Sequence, residues 1–147
     1  MISACTELGA ISALCDVQTC LAYRNFGRLF GLAFQVQDDF LGIWGDTTLT
    51  GKSNQSDLIT RKKTLPILYG LSKGGKFAEK WYQEAIDEEE INEIQHLLEV
   101  NGGKKFTITT SNELITKAII ALDNIQSNSD AGLILKNLTL SLIERQV

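Results

Sequence analysis

The sequence runs to 147 residues, with 44% hydrophobic residues, 22% charged residues and a formal net charge of -4. That length allows one compact domain with a real core, and the balance is ordinary for a soluble globular chain. A pI near 5.0 argues against a nucleic-acid surface, and no apolar run reaches the ~18 residues of a membrane span.

Pro66 is the sole proline. Such scarcity suits a mostly helical protein, because proline interrupts helices. Cys5, Cys15 and Cys20 form an odd set without a CxxC pair. They read as reduced thiols packed as small apolar groups, which points to a reducing, cytoplasmic compartment. The first residues lack the basic stretch of a signal peptide. Asn137-Leu138-Thr139 fits a glycosylation sequon, which means nothing without secretion.

Residues Ile2 to Leu14 predict a helix. Its apolar period starts at the first residue with no cap before it, as if the chain began inside a helix. Asp16 is placed to cap a second helix, from about Val17 to Trp44, in which Leu21, Phe26, Leu29, Phe30, Ala33, Phe34, Phe40 and Leu41 recur at helical spacing. Being apolar almost all round, it belongs in the middle of a bundle. Gly27 and Gly31, one turn apart, would let another helix approach closely; each costs about 1 kcal/mol in a helix interior relative to alanine.

Gly45 to Asp57 reads as a loop, and Leu58 to Leu71 as a helix ending at Lys73-Gly74-Gly75. A short amphipathic helix from about Lys76 to Ala85 follows. Asp87 to Glu90 then open the next helix, from about Ile91 to Val100, where acidic groups favour the helix dipole. Gly102-Gly103 breaks the pattern. Two final helices cover about Ser111 to Ile125 and Asp130 to Glu144. The nearest approach to a strand is Phe106 to Thr110. The fold class is therefore all-α, a helical bundle, with residues 1–147 as a single domain.

One stretch stands out chemically. Asp38 and Asp39 interrupt the apolar run AFQVQDDFLGIWGD, and a carboxylate there must find a cation, a donor or water. On a helix the two point about 100° apart, and Gln35 shares the face of Asp38. Asp46 lies about two turns past Asp38. Carboxylates with water access are hard oxygen ligands suited to magnesium. Lys52, Asp57, Arg61, Lys62 and Lys63 come next, and carboxylates, magnesium and lysines together would bind a diphosphate. The plainer alternative is a set of solvated acids near a helix end beside surface lysines. His96, the only histidine, reads as a surface residue, and without a second one no Ser/His/Asp or Cys/His arrangement is expected. Neither GxGxxG nor a P-loop is present.

The string FGRLFGLAFQVQDDFLGIWGD followed by TGKSNQSDLITRKKTLP resembles the trans-isoprenyl diphosphate synthases, the polyprenyl synthetase family. The resemblance rests on Phe34, Gln35, Asp38 and Asp39, on Thr50, Gly51 and Lys52, and on Asp57, Leu58, Lys62, Thr64, Leu65 and Pro66, in that order. It covers Met1 to about Leu71, with Glu7 to Ala10 resembling the preceding helix. The fold it implies is an all-α bundle around a central cavity. The activity it implies is magnesium-dependent condensation of an allylic diphosphate with isopentenyl diphosphate. On that resemblance Asp38 would ligate magnesium, Asp39 would support it through water, and Asp46 would stand in for a missing third aspartate. Lys52 and Lys62 would neutralise the leaving diphosphate, and Phe34 and Gln35 would line the cavity near the cation.

Two departures follow. The third aspartate of the family's DDxxD is replaced by Gly42. The family's first aspartate-rich motif precedes the region that Met1 matches and is missing from these residues. The chain thus resembles the carboxy-terminal half of a synthase, expected to be weak or inactive alone. Its uncovered helix faces are expected to pair, as a homo-oligomer or with a complementing chain. The alternative is a non-catalytic partner subunit or a degenerate family remnant. A terpene-cyclase-like relative would share the same ionising chemistry.

Overall fold

The computed structural model describes residues 1–45, 55–83, 88–125 and 130–144. Among the described residues all regular structure is helical, as expected. The helices are α1 (Ile2–Ser12), α2 (Val17–Trp44), α3 (Ser56–Ile59), α4 (Leu65–Lys73), α5 (Gly75–Trp81), α6 (Glu88–Val100), α7 (Gly103–Asp123) and α8 (Asp130–Glu144). The chain divides into two compact units, Met1–Gln35 with Thr110–Val147, and Val36–Thr109.

In the first unit, α1 stops at Ser12, short of the expected Leu14. Leu14 takes a left-handed φ of 58°, and the turn closes with Leu14 N–H donating to Ile11 O (2.9 Å) and Cys15 N–H to Ala10 O (3.1 Å). That pair of bonds is a Schellman termination. Asp16 caps α2 as expected, accepting from the Thr19 amide at 3.0 Å and the Thr19 hydroxyl at 2.9 Å. The glycine pair also behaves as expected. A Cβ on Gly27 would stand 2.1 Å from Thr6 Oγ1 and 2.9 Å from Ser3 Cα, so α1 lies directly against α2 there. Thr6 secures the approach by donating to Tyr23 O at 2.7 Å. Two small cores follow: Phe26 and Leu29 with Ala118 and Leu122, and Ala33 with Ile115 and Leu142.

Among the described residues of the second unit, Ile43, Leu58, Ile67, Phe77, Trp81, Ile91, Ile94 and Leu98 form a single core. Gly70 is packed so tightly that a Cβ would stand 2.6 Å from Leu98 Cδ1. The single helix expected over Leu58 to Leu71 is instead two. α3 ends at Ile59, and α4 begins at Leu65 with proline at its opening turn. Pro66 has no amide to give to a carbonyl four residues back, so a helix cannot run through it, but it is tolerated in the opening turn of α4; the chain leaves α3 through the left-handed Arg61 and restarts after an extended Thr64. The last described helices also differ from expectation at one boundary. α7 starts at Gly103, so Phe106 to Thr110 is helical. Phe106 stacks on Tyr69 at 4.1 Å and the Thr107 hydroxyl donates to Gly103 O at 2.8 Å; this packing overrides the β-branched preference. His96 is exposed. Cys5, Cys15 and Cys20 are free thiols, Cys20 buried.

Candidate functional site

The acidic pair sits on the last turns of α2, inside the second unit. The helix presents the two residues differently, as their 100° offset requires. Asp39 is buried, 6% exposed, whereas Asp38 is half-buried. Asp39 Oδ2 accepts a hydrogen bond from the Leu65 amide at 3.0 Å. Leu65 is the first residue of α4, and Thr64 before it makes no side-chain cap. An aspartate from one helix therefore satisfies an orphan amide at the start of another, which stabilises both the charge and the turn. This bond joins the DD segment to the Lys-x-Thr-Leu-Pro segment, between partners 26 positions apart in the chain.

Lys62 reaches the same region by a backbone device. Arg61 adopts a left-handed φ of 51°. Around it, Arg61 N–H donates to Leu58 O (3.1 Å) and Lys62 N–H to Asp57 O (2.9 Å). α3 thus ends in a Schellman turn with arginine where glycine is usual. The turn folds Lys62 back over the helix it has just left, and Lys62 Nζ stands 3.5 Å from Asp57 Oδ2. Asp57 is 7% exposed. Burial pushes its carboxyl above the ordinary carboxylate range; Lys62 pulls against that shift, and the charges of Asp39 and Asp38 add to it.

Gly42 completes the arrangement. A Cβ there would meet Asp57 Oδ2 at 2.4 Å. The position that carries the third aspartate in the family pattern is empty of side chain, and the Asp57 carboxylate fills the space. Sequence reasoning placed Asp57 inside a motif but gave it no task. The signal was available in the glycine, which left room for something.

Phe34 and Gln35 lie about one turn earlier on α2, both exposed, before the point where the units divide. Asp46 and Lys52, with Thr50 and Gly51, lie outside the described residues. Among the described residues no three His, Cys, Asp or Glu side chains converge as a ready-made metal cage. Magnesium does not need one, since one or two carboxylates and substrate phosphates hold it with several waters. The hard oxygen donors of Asp38 and Asp39, with a lysine ammonium in the same unit, fit that mode.

Comparison with known proteins decides the family. The polyprenyl synthetase pattern matches residues 1–101. The chain belongs to that family. Within it, the chain is 31% identical to a (2E,6E)-farnesyl diphosphate synthase of Mycobacterium tuberculosis, over 99% of this chain and 43% of that protein. Its fold superposes with a TM-score of 0.84 on a polyprenyl synthetase from Streptomyces coelicolor, at 32% identity, covering 99% of this chain and 45% of the other. A geranylgeranyl pyrophosphate synthase from Corynebacterium glutamicum, solved with isoprenyl diphosphate and magnesium, superposes at 0.83 with 25% identity, covering 94% and 41% respectively. The chain spans less than half the length of the polyprenyl synthetase relatives it matches.

Proposed function

We propose that the protein is a prenyltransferase of isoprenoid biosynthesis, cytoplasmic, acting with magnesium on an allylic diphosphate and isopentenyl diphosphate. We also propose that these residues form the carboxy-terminal half of the catalytic domain. The observation that supports this best is the Asp39–Leu65 bond, which joins two family motifs inside one unit. Asp38, half-buried and one residue from that anchor, is the carboxylate left to meet a divalent ion. Magnesium bound there would neutralise charge developing on the leaving diphosphate oxygen. Lys62 supplies a fixed positive charge from the following segment, with Lys52 as a second ammonium. Asp39 orients the turn that carries Lys62, and Asp46 would add a further carboxylate. Phe34 and Gln35 would face the hydrocarbon chain of the substrate.

The sequence holds one pair of adjacent aspartates, Asp38-Asp39. Half of the family's acidic cage is therefore not encoded in these residues, and removing members of a unit costs far more than their share. The isolated chain is expected to bind magnesium pyrophosphate yet turn over geranyl diphosphate and isopentenyl diphosphate weakly or not at all. Calorimetry with magnesium and pyrophosphate should show heat that Asp38→Ala abolishes. No heat from the unaltered chain would sink the assignment, and robust prenyl elongation by the chain alone would sink the half-site argument. Binding without turnover also accommodates the second reading, a non-catalytic partner subunit. For partners we propose a second copy or a complementing chain, because Leu8, Ile11, Leu14, Val17 and Leu21 are exposed together along α1 and the start of α2.

A further inference from the structure

We propose that Asp57 is a positioning residue for Lys62, and that Gly42 is a glycine so that Asp57 can take that place. The inference rests on the diphosphate-site reading above and goes beyond it by assigning a task to two residues that reading leaves idle.

A lysine ammonium on a four-carbon stem is a poor point charge unless something limits where it goes, because its rotamer freedom must be surrendered on binding. Lys62 is limited twice. Its amide donates to Asp57 O at 2.9 Å through the turn at Arg61. Its Nζ stands 3.5 Å from Asp57 Oδ2 while the side chain remains 49% exposed. One partner is fixed and the other keeps a face toward water. An ammonium has three donors, so holding Asp57 leaves others for phosphate oxygens.

Asp57 can serve as that fixed point because it is itself held. Its side chain is 10% exposed, and Oδ2 is buried without a hydrogen bond of its own among the described residues. Among the described residues, the cation paired with that oxygen is the Lys62 ammonium. Its seat is the space over Gly42, where a Cβ would approach to 2.4 Å from Oδ2 and 2.6 Å from Cγ. Any side chain at position 42 must displace the carboxylate. The missing third aspartate of the motif and the buried Asp57 are thus one feature: position 42 gives up its side chain so that an acid from α3 can stand there and hold a base.

The test uses the full chain titrated with pyrophosphate in the presence of magnesium. Lys62→Gln should weaken binding about tenfold or more, the value of a charge-assisted hydrogen bond lost. Asp57→Asn, which keeps shape and removes charge, should weaken it roughly three- to tenfold, the usual size of a coupling between touching residues. In the Lys62→Gln background, Asp57→Asn should then change nothing further, which a merely structural ion pair does not predict. Gly42→Ala leaves Asp57 in the chain but takes its space. It should reproduce the Asp57→Asn loss, and it carries the test if Asp57→Asn folds poorly. Circular dichroism confirms which variants are folded. If Asp57→Asn weakens the Lys62→Gln variant by the same factor as the parent, Asp57 acts on the ligand directly and the inference is overturned. It is also overturned if Asp57→Asn and Gly42→Ala bind as the parent does, a result that leaves the proposed function standing. Absence of binding by the parent chain removes both.

Discussion

The two units treat their apolar residues differently. In Val36–Thr109, eight apolar side chains from five helices close into one core, and the exposed large apolar residues are scattered: Ile59, Leu68, Tyr82 and Val100. In the other unit the cores are smaller and most of the exposed large apolar residues among those described are found, along α1, the first turns of α2, and α8. Leu14 is 92% exposed and Ile134 66%. Both units come from one sequence of ordinary composition, so composition does not explain the contrast. The unit that carries the acidic pair and Lys62 closes a core from its own helices; the other leaves apolar faces exposed.

Three variants would break or sharpen that contrast. The largest effect is expected from Phe77→Ala in the closed core. Phe77 is fully buried, so the loss should be about 3–5 kcal/mol in a denaturant melt. A much smaller loss would mean the core is not well packed. Next is Gly27→Ala in the open unit. The new methyl would meet the Ser3 backbone as well as Thr6 Oγ1, so α1 must shift, at roughly 1–3 kcal/mol. A neutral result would show that α1 is held only loosely. The smallest effect on stability is expected from Leu14→Ser combined with Ile134→Ser, each within about 0.5 kcal/mol because neither side chain is buried. The same pair should lower self-association in sedimentation velocity. If the parent chain sediments as a monomer at all concentrations, the open faces do not pair with a second copy.

Much of the fold was legible in the sequence because periodicity and punctuation agree over long segments. α2 and α8 run as their apolar repeats require, and Gly27 and Gly31 announced a close neighbour that proved to be α1. The misreadings share a cause. The break between α3 and α4 hides in a segment whose apolar spacing looks continuous; Pro66 bars a helix from running through it, and Arg61 turns the chain by a left-handed φ that no apolar repeat announces. The helical state of Phe106 to Thr110 depends on Tyr69, a contact across 37 residues that no local pattern contains. At the candidate site, charge and motif order singled out Asp38, Asp39 and Lys62, which the fold brings into one unit. They did not show that Asp39 is half engaged in capping, or that Gly42 makes room for Asp57, since both are relations through space.

The bond from Asp39 to the Leu65 amide has a consequence for how such proteins vary. Alignment between the two ends of the site is set by a contact, yet the stretch between them carries Ile43 and Leu58 of the core and Gly42, Asp57 and Lys62 of the site. An insertion inside α3 or its closing turn should carry Asp57 and Lys62 out of register with Gly42, and moving Leu65 by a single place along its helix should take its amide away from Asp39.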